Sequence, residues 1–111
     1  GKNCEIGALN TIVGGAIEPT VLGDYVMTDD HVHVAHNCVI GSGSLITACA
    51  EISGSVTIGK ECWIGPNSSL IQKISIGSQT IIGIGSVVIR DLPEKSIAAG
   101  NPAKLLDNQN A

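Results

Sequence analysis

Aromatic residues are almost missing from this chain: its 111 residues include one Trp, one Tyr and no Phe. An ordinary globular core of this size takes several aromatics, because each buries so much area. A single-stranded nucleic-acid platform is also excluded, since it depends on stacking rings. Charge is scarce too, at 14% of residues. Six Lys and Arg against ten Asp and Glu leave a net charge of −4, so there is no basic stripe to grip phosphates. No run approaches the roughly 18 apolar residues of a membrane span. The longest candidate, residues 81–89, is broken by Gly83, Gly85 and Ser86. The four cysteines contain no CxxC pair for zinc or redox work. No basic-then-apolar leader is visible, which says little about compartment; the cysteines, read as an inert reduced set, are what make a cytoplasmic location the expectation. Because Gly1 falls partway into a patterned segment, an N-terminal domain is expected upstream of it.

What is present is aliphatic and small. The chain holds 16 Ile, 9 Val and 14 Gly, a composition of many short strands joined by tight turns rather than a helix bundle. Stepping by six from residue 22 gives Leu22, Thr28, Val34, Ile40, Ile46, Ile52, Ile58, Ile64, Leu70, Ile76, Ile82 and Val88. Only Thr28 interrupts the aliphatic series. Two residues before each of these, the slot is small or β-branched, Ile74 being its one bulky member. Glycine follows the aliphatic at Gly23, Gly41, Gly59, Gly65, Gly77 and Gly83. So long a self-similar pattern establishes an internal repeat.

The hexad has a plain physical meaning. Two marked residues flank an outward one, so both point inward from a short strand. The glycine site then turns a corner, where glycine is expected to supply conformations that a Cβ resists. Three hexads close a triangular coil of 18 residues, and stacked coils pair as parallel strands about 4.8 Å apart. The prediction is an all-β parallel β-helix of about four to five coils. Ile6 and Ile12 belong to the same repeat, but residues 16–20 shift it by four, so Glu18-Pro19 reads as a bulging loop. The ladder should end after Val88, with Pro93 stopping it. Ser96 to Ala99 adds a strand segment, Gly100-Asn101-Pro102 turns the chain, and Ala103 to Leu106 is expected to begin a short helix. Residues 1–106 form one domain with its C-terminal cap, and residues 107–111 read as a frayed tail.

These hexads, with the closing Ala99-Gly100-Asn101-Pro102-Ala103-Lys104, resemble the left-handed β-helix acyltransferases of the hexapeptide-repeat superfamily. The resemblance implies left-handed coils, whereas parallel connections are normally right-handed. It also implies a homotrimer with active sites in clefts between subunits.

All three histidines fall within residues 29–37, Asp-Asp-His-Val-His-Val-Ala-His-Asn. By register His33 points outward from mid-strand and His36 sits on a corner, so neither is a core histidine. Lone surface histidines are usually just solvated. Three in six residues of so weakly charged a chain point instead to acid–base chemistry, for which imidazole titrates in the right range. The string Val34-Ala35-His36-Asn37-Cys38-Val39-Ile40-Gly41 is similar to the catalytic segment of UDP-3-O-acylglucosamine N-acyltransferases. It is less closely similar to sugar acetyltransferases of the sialic-acid and bacillosamine type. The resemblance makes His36 the general base, drawing a proton from a sugar amine or hydroxyl as that group attacks a thioester. Gly54 lies 18 residues on, one coil above on the same corner; the expected readings are that its N–H is an oxyanion donor, as the acetyltransferase resemblance implies, or that it is a corner residue and nothing more. Relatives often flank the histidine with carboxylates; here the neighbours are Ala35 and Asn37. Asp29, Asp30 and Glu51 are then the carboxylates available near the site. With His33 and Asn37 they are the expected substrate-binding residues.

No histidine follows His36, and no long helical C-terminus follows the repeat, unlike the lipid A enzymes. The expected donor is therefore acetyl-CoA or another short acyl-CoA, held beside Gly65, Asn67, Gly83, Gly85 and Lys104, with no metal. Cys4, Cys38 and Cys62 occupy the small inward slot as compact hydrophobes, and Cys49 sits at a corner. Trp63 faces outward, toward a subunit interface or the donor cleft. Two other classes compete. A γ-class carbonic anhydrase shares this fold and the His31 to His36 spacing, although two histidines leave a three-histidine zinc site incomplete. A non-catalytic trimeric β-helix is the third reading.

Overall fold

The computed structural model describes residues 1–15 and 17–106. Five coils stack into a prism with principal extents of 39 × 24 × 23 Å. The first coil carries β1 (Glu5–Ile6), β2 (Thr11–Ile12) and β3 (Val21–Leu22), and the second β4 (Met27–Thr28), β5 (His33–Val34) and β6 (Val39–Ile40). The third holds β7 (Leu45–Ile46), β8 (Glu51–Ile52) and β9 (Thr57–Ile58). In the fourth are β10 (Trp63–Ile64), β11 (Ser69–Leu70) and β12 (Ser75–Ile76). The last contributes β13 (Ile81–Ile82) and β14 (Val87–Val88), and a closing pair follows as β15 (Ile97–Gly100) and β16 (Ala103–Leu105).

Up to β14 every third strand stacks in parallel on the same face of the prism, giving three sheets, and β15 and β16 extend the one that holds β13. Trp63 pairs with Leu45 below and Ile81 above, the 18-residue step expected of three hexads. The first coil departs from that step. Thr11 pairs with His33, 22 residues on, while Val21 pairs with Val39 at the ordinary interval. The four extra residues therefore lie between β2 and β3, as the pattern indicated, although Ala16 itself is outside the described residues. The top coil is shortened instead: Ile76 bridges Leu92, only 16 residues on.

The interior repeats as the spacing requires. Ile40, Ile46, Ile52, Ile58, Ile64, Leu70, Ile76 and Ile82 form one fully buried column set. Each such side chain contributes about 1.5–3 kcal/mol of burial. Hydroxyls in the small slot are satisfied: Ser44 donates to the Gly59 carbonyl at 2.8 Å and Ser68 to that of Gly83 at 3.1 Å. Thr28, the break in the series, is buried and accepts from the Asn10 carboxamide at 2.6 Å. Ile6 and Ile12 point inward by register yet stay exposed, because no coil lies beneath them among the described residues.

Two expectations need correction. The first concerns why glycine follows the aliphatics. The left-handed corner position is held mainly by other residues, including His31, Asn37, Cys49, Asn67 and Lys73, with φ between 60° and 67°. Left-handed backbone costs an L-residue about 1–2 kcal/mol. Part of that is offset because most of these corner N–H groups donate to the coil below, as from Cys49 to the Asp30 carbonyl and from Lys73 to that of Gly54. The repeat glycines are instead demanded by closeness. A Cβ on Gly41 would lie 2.5 Å from the Gly59 carbonyl carbon, and one on Gly65 only 2.6 Å from the Ile82 oxygen. The second correction is the C-terminus. Ala103–Leu105 is a strand running antiparallel to β15 across a turn at Asn101-Pro102, so the expected helix is absent from the described residues. Residues 107–111, read as a frayed tail, lie outside them.

Candidate functional site

The site is built on the edge that follows the second strand of each coil. Two residues past Val34, Ile52, Leu70 and Val88 stand His36, Gly54, Gln72 and Arg90, stacked by register. His36 is exposed on its corner. Its imidazole reaches into the space that a side chain at 54 would fill: a Cβ there would sit 2.6 Å from Cε1 and 2.7 Å from Nε2. Glycine at 54 thus makes room for the ring itself, in addition to any substrate. The Gly54 N–H has no protein acceptor among the described residues, while its carbonyl is taken by Lys73 N–H at 3.0 Å. A proton acceptor and a free backbone donor therefore stand side by side. Next to them, His36 Nδ1 is 2.9 Å from Asn37 Oδ1.

The other expected substrate residues are dispersed. His33 and Glu51 are partners on adjacent strands, half-buried on the outer side of one sheet, and Ser53 donates to the Glu51 carboxylate at 3.2 Å. Asp29 and Asp30 belong to a different edge, the one after the first strand of each coil. There Asp30 accepts the Ala8 N–H at 2.7 Å and serves as a cap. None of these three carboxylates hydrogen-bonds His36 among the described residues.

Among the donor-site residues, Asn67 and Gly85 are exposed on that other edge, and Gly83 is half-buried against the Ala99 methyl. Gly65, expected at an exposed corner, is buried under the next coil for the reason of closeness given above. Lys104 is exposed on β16 and lines a cavity of about 380 Å³ with Ile89, Arg90, Leu92, Pro102 and Leu105. Arg90 escaped the sequence reading, yet stepping by 18 from His36 leads to it. It stands three coil spacings up the same edge, roughly 14 Å from the histidine.

His31 occupies the first edge and His36 the second, so the two do not stack. No group of three His, Cys, Asp or Glu side chains placed to hold a metal occurs among the described residues. Cys38 and Cys62 are buried, and desolvation pushes both thiols up, against the lowering effect of nearby backbone hydrogen bonds. Neither is primed as a nucleophile. Trp63 is half-buried in an outward stripe with Met27, Leu45, Ile81 and Ile97, all on one face.

Comparison with known proteins adds the family. The model for the bacterial transferase hexapeptide (six repeats) matches residues 19–54, which include both His36 and Gly54. Over that stretch the chain carries the hexapeptide repeat of this family. It is 41% identical, over 92 residues, to the UDP-3-O-acylglucosamine N-acyltransferase of Bordetella pertussis. That match covers 83% of this chain and 25% of the relative, so the chain spans about a quarter of that protein's length. It is 33% identical to the acyl-[acyl-carrier-protein]–UDP-N-acetylglucosamine O-acyltransferase of Burkholderia orbicola, across 94% of the chain and 41% of the relative. The solved LpxA structure from Acinetobacter baumannii superposes with a TM-score of 0.86 at 28% identity, covering 93% of this chain and 43% of that one.

Proposed function

We propose that this hexapeptide-repeat chain carries the transfer of an acetyl or short acyl group from acyl-CoA to an amine or hydroxyl of a sugar or nucleotide-sugar. The observation that carries this reading is the His36 imidazole lying beside the free N–H of Gly54. The acceptor's nitrogen or oxygen attacks the thioester carbonyl, and His36 takes the proton it sheds. The carbonyl electron pair moves onto oxygen, where the Gly54 N–H stabilises it. Collapse of the tetrahedral intermediate breaks the carbon–sulfur bond, and the imidazolium returns its proton to the departing CoA thiolate. The products are an amide or ester and free CoA, with no acyl-enzyme and no metal.

The donor runs up the edge from His36 toward the cavity at Arg90 and Lys104. That span of roughly 14 Å suits an extended pantetheine arm, with the two cations meeting coenzyme phosphates. Asn67, Gly83 and Gly85 belong to a different edge of the same prism, so they reach the donor only from a second copy. A homotrimer satisfies this, and the outward stripe of Met27, Leu45, Trp63, Ile81 and Ile97 supplies an apolar face for it. The N-acyltransferase relative at 41% identity favours an amine over a hydroxyl as acceptor. The Burkholderia relative is named for an acyl-carrier-protein donor, which sets the alternative to CoA.

The test is a turnover screen, pairing acetyl-CoA and short acyl-CoAs with a panel of amino and hydroxy nucleotide-sugars. Acyl-acyl-carrier-protein serves as the competing donor. Release of CoA with a new amide or ester supports the proposal. Turnover with the carrier protein alone would overturn the donor, and unchanged turnover in His36→Ala would overturn the base.

A further inference from the structure

The four-residue insertion in the first coil meets the site at one point, the carboxamide of Asn37. Its Nδ2 donates to the Glu18 carbonyl at 3.0 Å, while its Oδ1 faces His36 Nδ1 at 2.9 Å. A carbonyl oxygen only accepts, so the Glu18 side must meet the amide's NH₂ end. The oxygen end is thereby turned to His36. Because an amide oxygen also only accepts, the hydrogen bond at Nδ1 requires that this nitrogen carry the proton.

We propose that the insertion, through the Glu18 carbonyl and Asn37, locks His36 in the Nδ1–H tautomer and leaves Nε2 as its basic nitrogen. A neutral imidazole holds one ring proton, and without a partner it favours Nε2–H, the form that presents the wrong nitrogen. Asn37 is thus a positioning residue, in the place where sugar acetyltransferases often carry a carboxylate. Each amide end already holds one protein partner, which fixes the orientation of the group and leaves one N–H and one lone pair for the expected substrate contact.

The anchor is itself built in. Gly15 lies beneath the Glu18 carbonyl so closely that a Cβ on it would overlap that oxygen, and the same Cβ would be 3.1 Å from Asn37 Cγ. Thr20 closes the loop: its hydroxyl donates to the Val13 carbonyl at 2.7 Å and accepts the Cys38 N–H at 3.3 Å, just past the His36 corner. Removing the insertion removes the Glu18 acceptor, and with it the force that orients the amide.

The role of His36 as base rests on the proposed function; the tautomer does not. The two are therefore separable. In ¹⁵N-histidine-labelled protein, with His36→Ala assigning its signals, the neutral ring should show a protonated Nδ1 and an unprotonated Nε2. Asn37→Ala should reverse that pattern, as should Gly15→Ala if it folds. Asn37→Asp should preserve it, since a carboxylate is an acceptor whichever way it turns. In turnover, Asn37→Ala should lower kcat ten- to a hundredfold with little change in KM, and Asn37→Asp should recover most of the loss. A protonated Nε2 in the unsubstituted protein, or an unchanged pattern in Asn37→Ala, overturns the proposal. So does a raised acceptor KM with kcat intact, which would return Asn37 to substrate binding. If no transfer is found at all, the proposed function falls while the tautomer measurement still decides this point.

Discussion

Two edges of one prism carry a histidine five residues apart, and only one of them resembles a catalytic site. On the first edge His31 holds the left-handed corner position, and the residue one coil above it is Cys49. On the second, His36 stands one place earlier in its corner, and above it is Gly54. The corner backbone repeats on both edges, although the two histidines take successive places in it. What differs is whether the next coil offers a side chain or an empty space with an unused N–H. A base needs an uncrowded neighbour as much as it needs a suitable ring.

The sharpest break of this comparison is to remove each ring in turn. His36→Ala should lower turnover by about 10²–10⁴-fold, the usual contribution of a positioned base, with oligomeric state unchanged. His31→Ala should leave turnover within a few-fold of normal. Steady-state kinetics beside sedimentation would check both. Equal losses from the two substitutions would mean that the edges do not differ as described.

The next largest effect addresses the space above each ring. Gly54→Ala keeps the backbone N–H but drives a methyl to within 2.6 Å of the His36 ring, which must swing away. A displacement of about 1 Å at a reacting group costs on the order of 10²-fold in kcat. Cys49→Ala, at the matching place over His31, should be silent. A normal kcat in Gly54→Ala would show that the ring has room to spare.

Smaller again is the effect of the donor end. Arg90→Ala and Lys104→Ala should each raise the KM for acyl-CoA roughly tenfold, the worth of one charge-assisted hydrogen bond. Neither should alter kcat. Dephospho-CoA thioesters offer a second measure, because loss of the phosphate contact should already be present in them.

How much of this was readable beforehand follows from the geometry of the repeat. A hexad is a register, so His36 and Gly54 could be stacked by counting 18, and the same counting reaches Arg90. The inward slots were equally legible, since an aliphatic every six residues has one structural meaning. The same counting locates the glycines but not their cause, since it cannot tell a left-handed corner from a close approach of two coils. Ala103–Leu105 is not legible as a strand because three residues carry no periodicity, and a tight turn at Asn101-Pro102 folds them back onto β15. The Asn37 contact was out of reach for a different reason. It depends on a main-chain carbonyl in an irregular insertion, and a carbonyl has no residue type to read.

The smallest effect separates thiols rather than rings. Cys49, on the His31 edge, is exposed, while Cys38, two residues past His36, is buried with its Sγ 3.1 Å from the Ser53 carbonyl. Native-state alkylation should label Cys49 and spare Cys38 and Cys62. Burial holds the last two above the ordinary thiol range. In the unfolded chain they ionise near the ordinary value of about 8.5. Above that pH the unfolded state binds fewer protons than the native one, so stability falls as pH rises. Below it the two states are equally protonated at these sites and the contribution is flat. Denaturant midpoints should therefore hold level from about pH 7 to pH 8 and decline from about pH 8.5 to pH 10. Cys38→Ala with Cys62→Ala should flatten that decline even where it lowers the midpoint overall, whereas Cys49→Ala should leave the slope as it was.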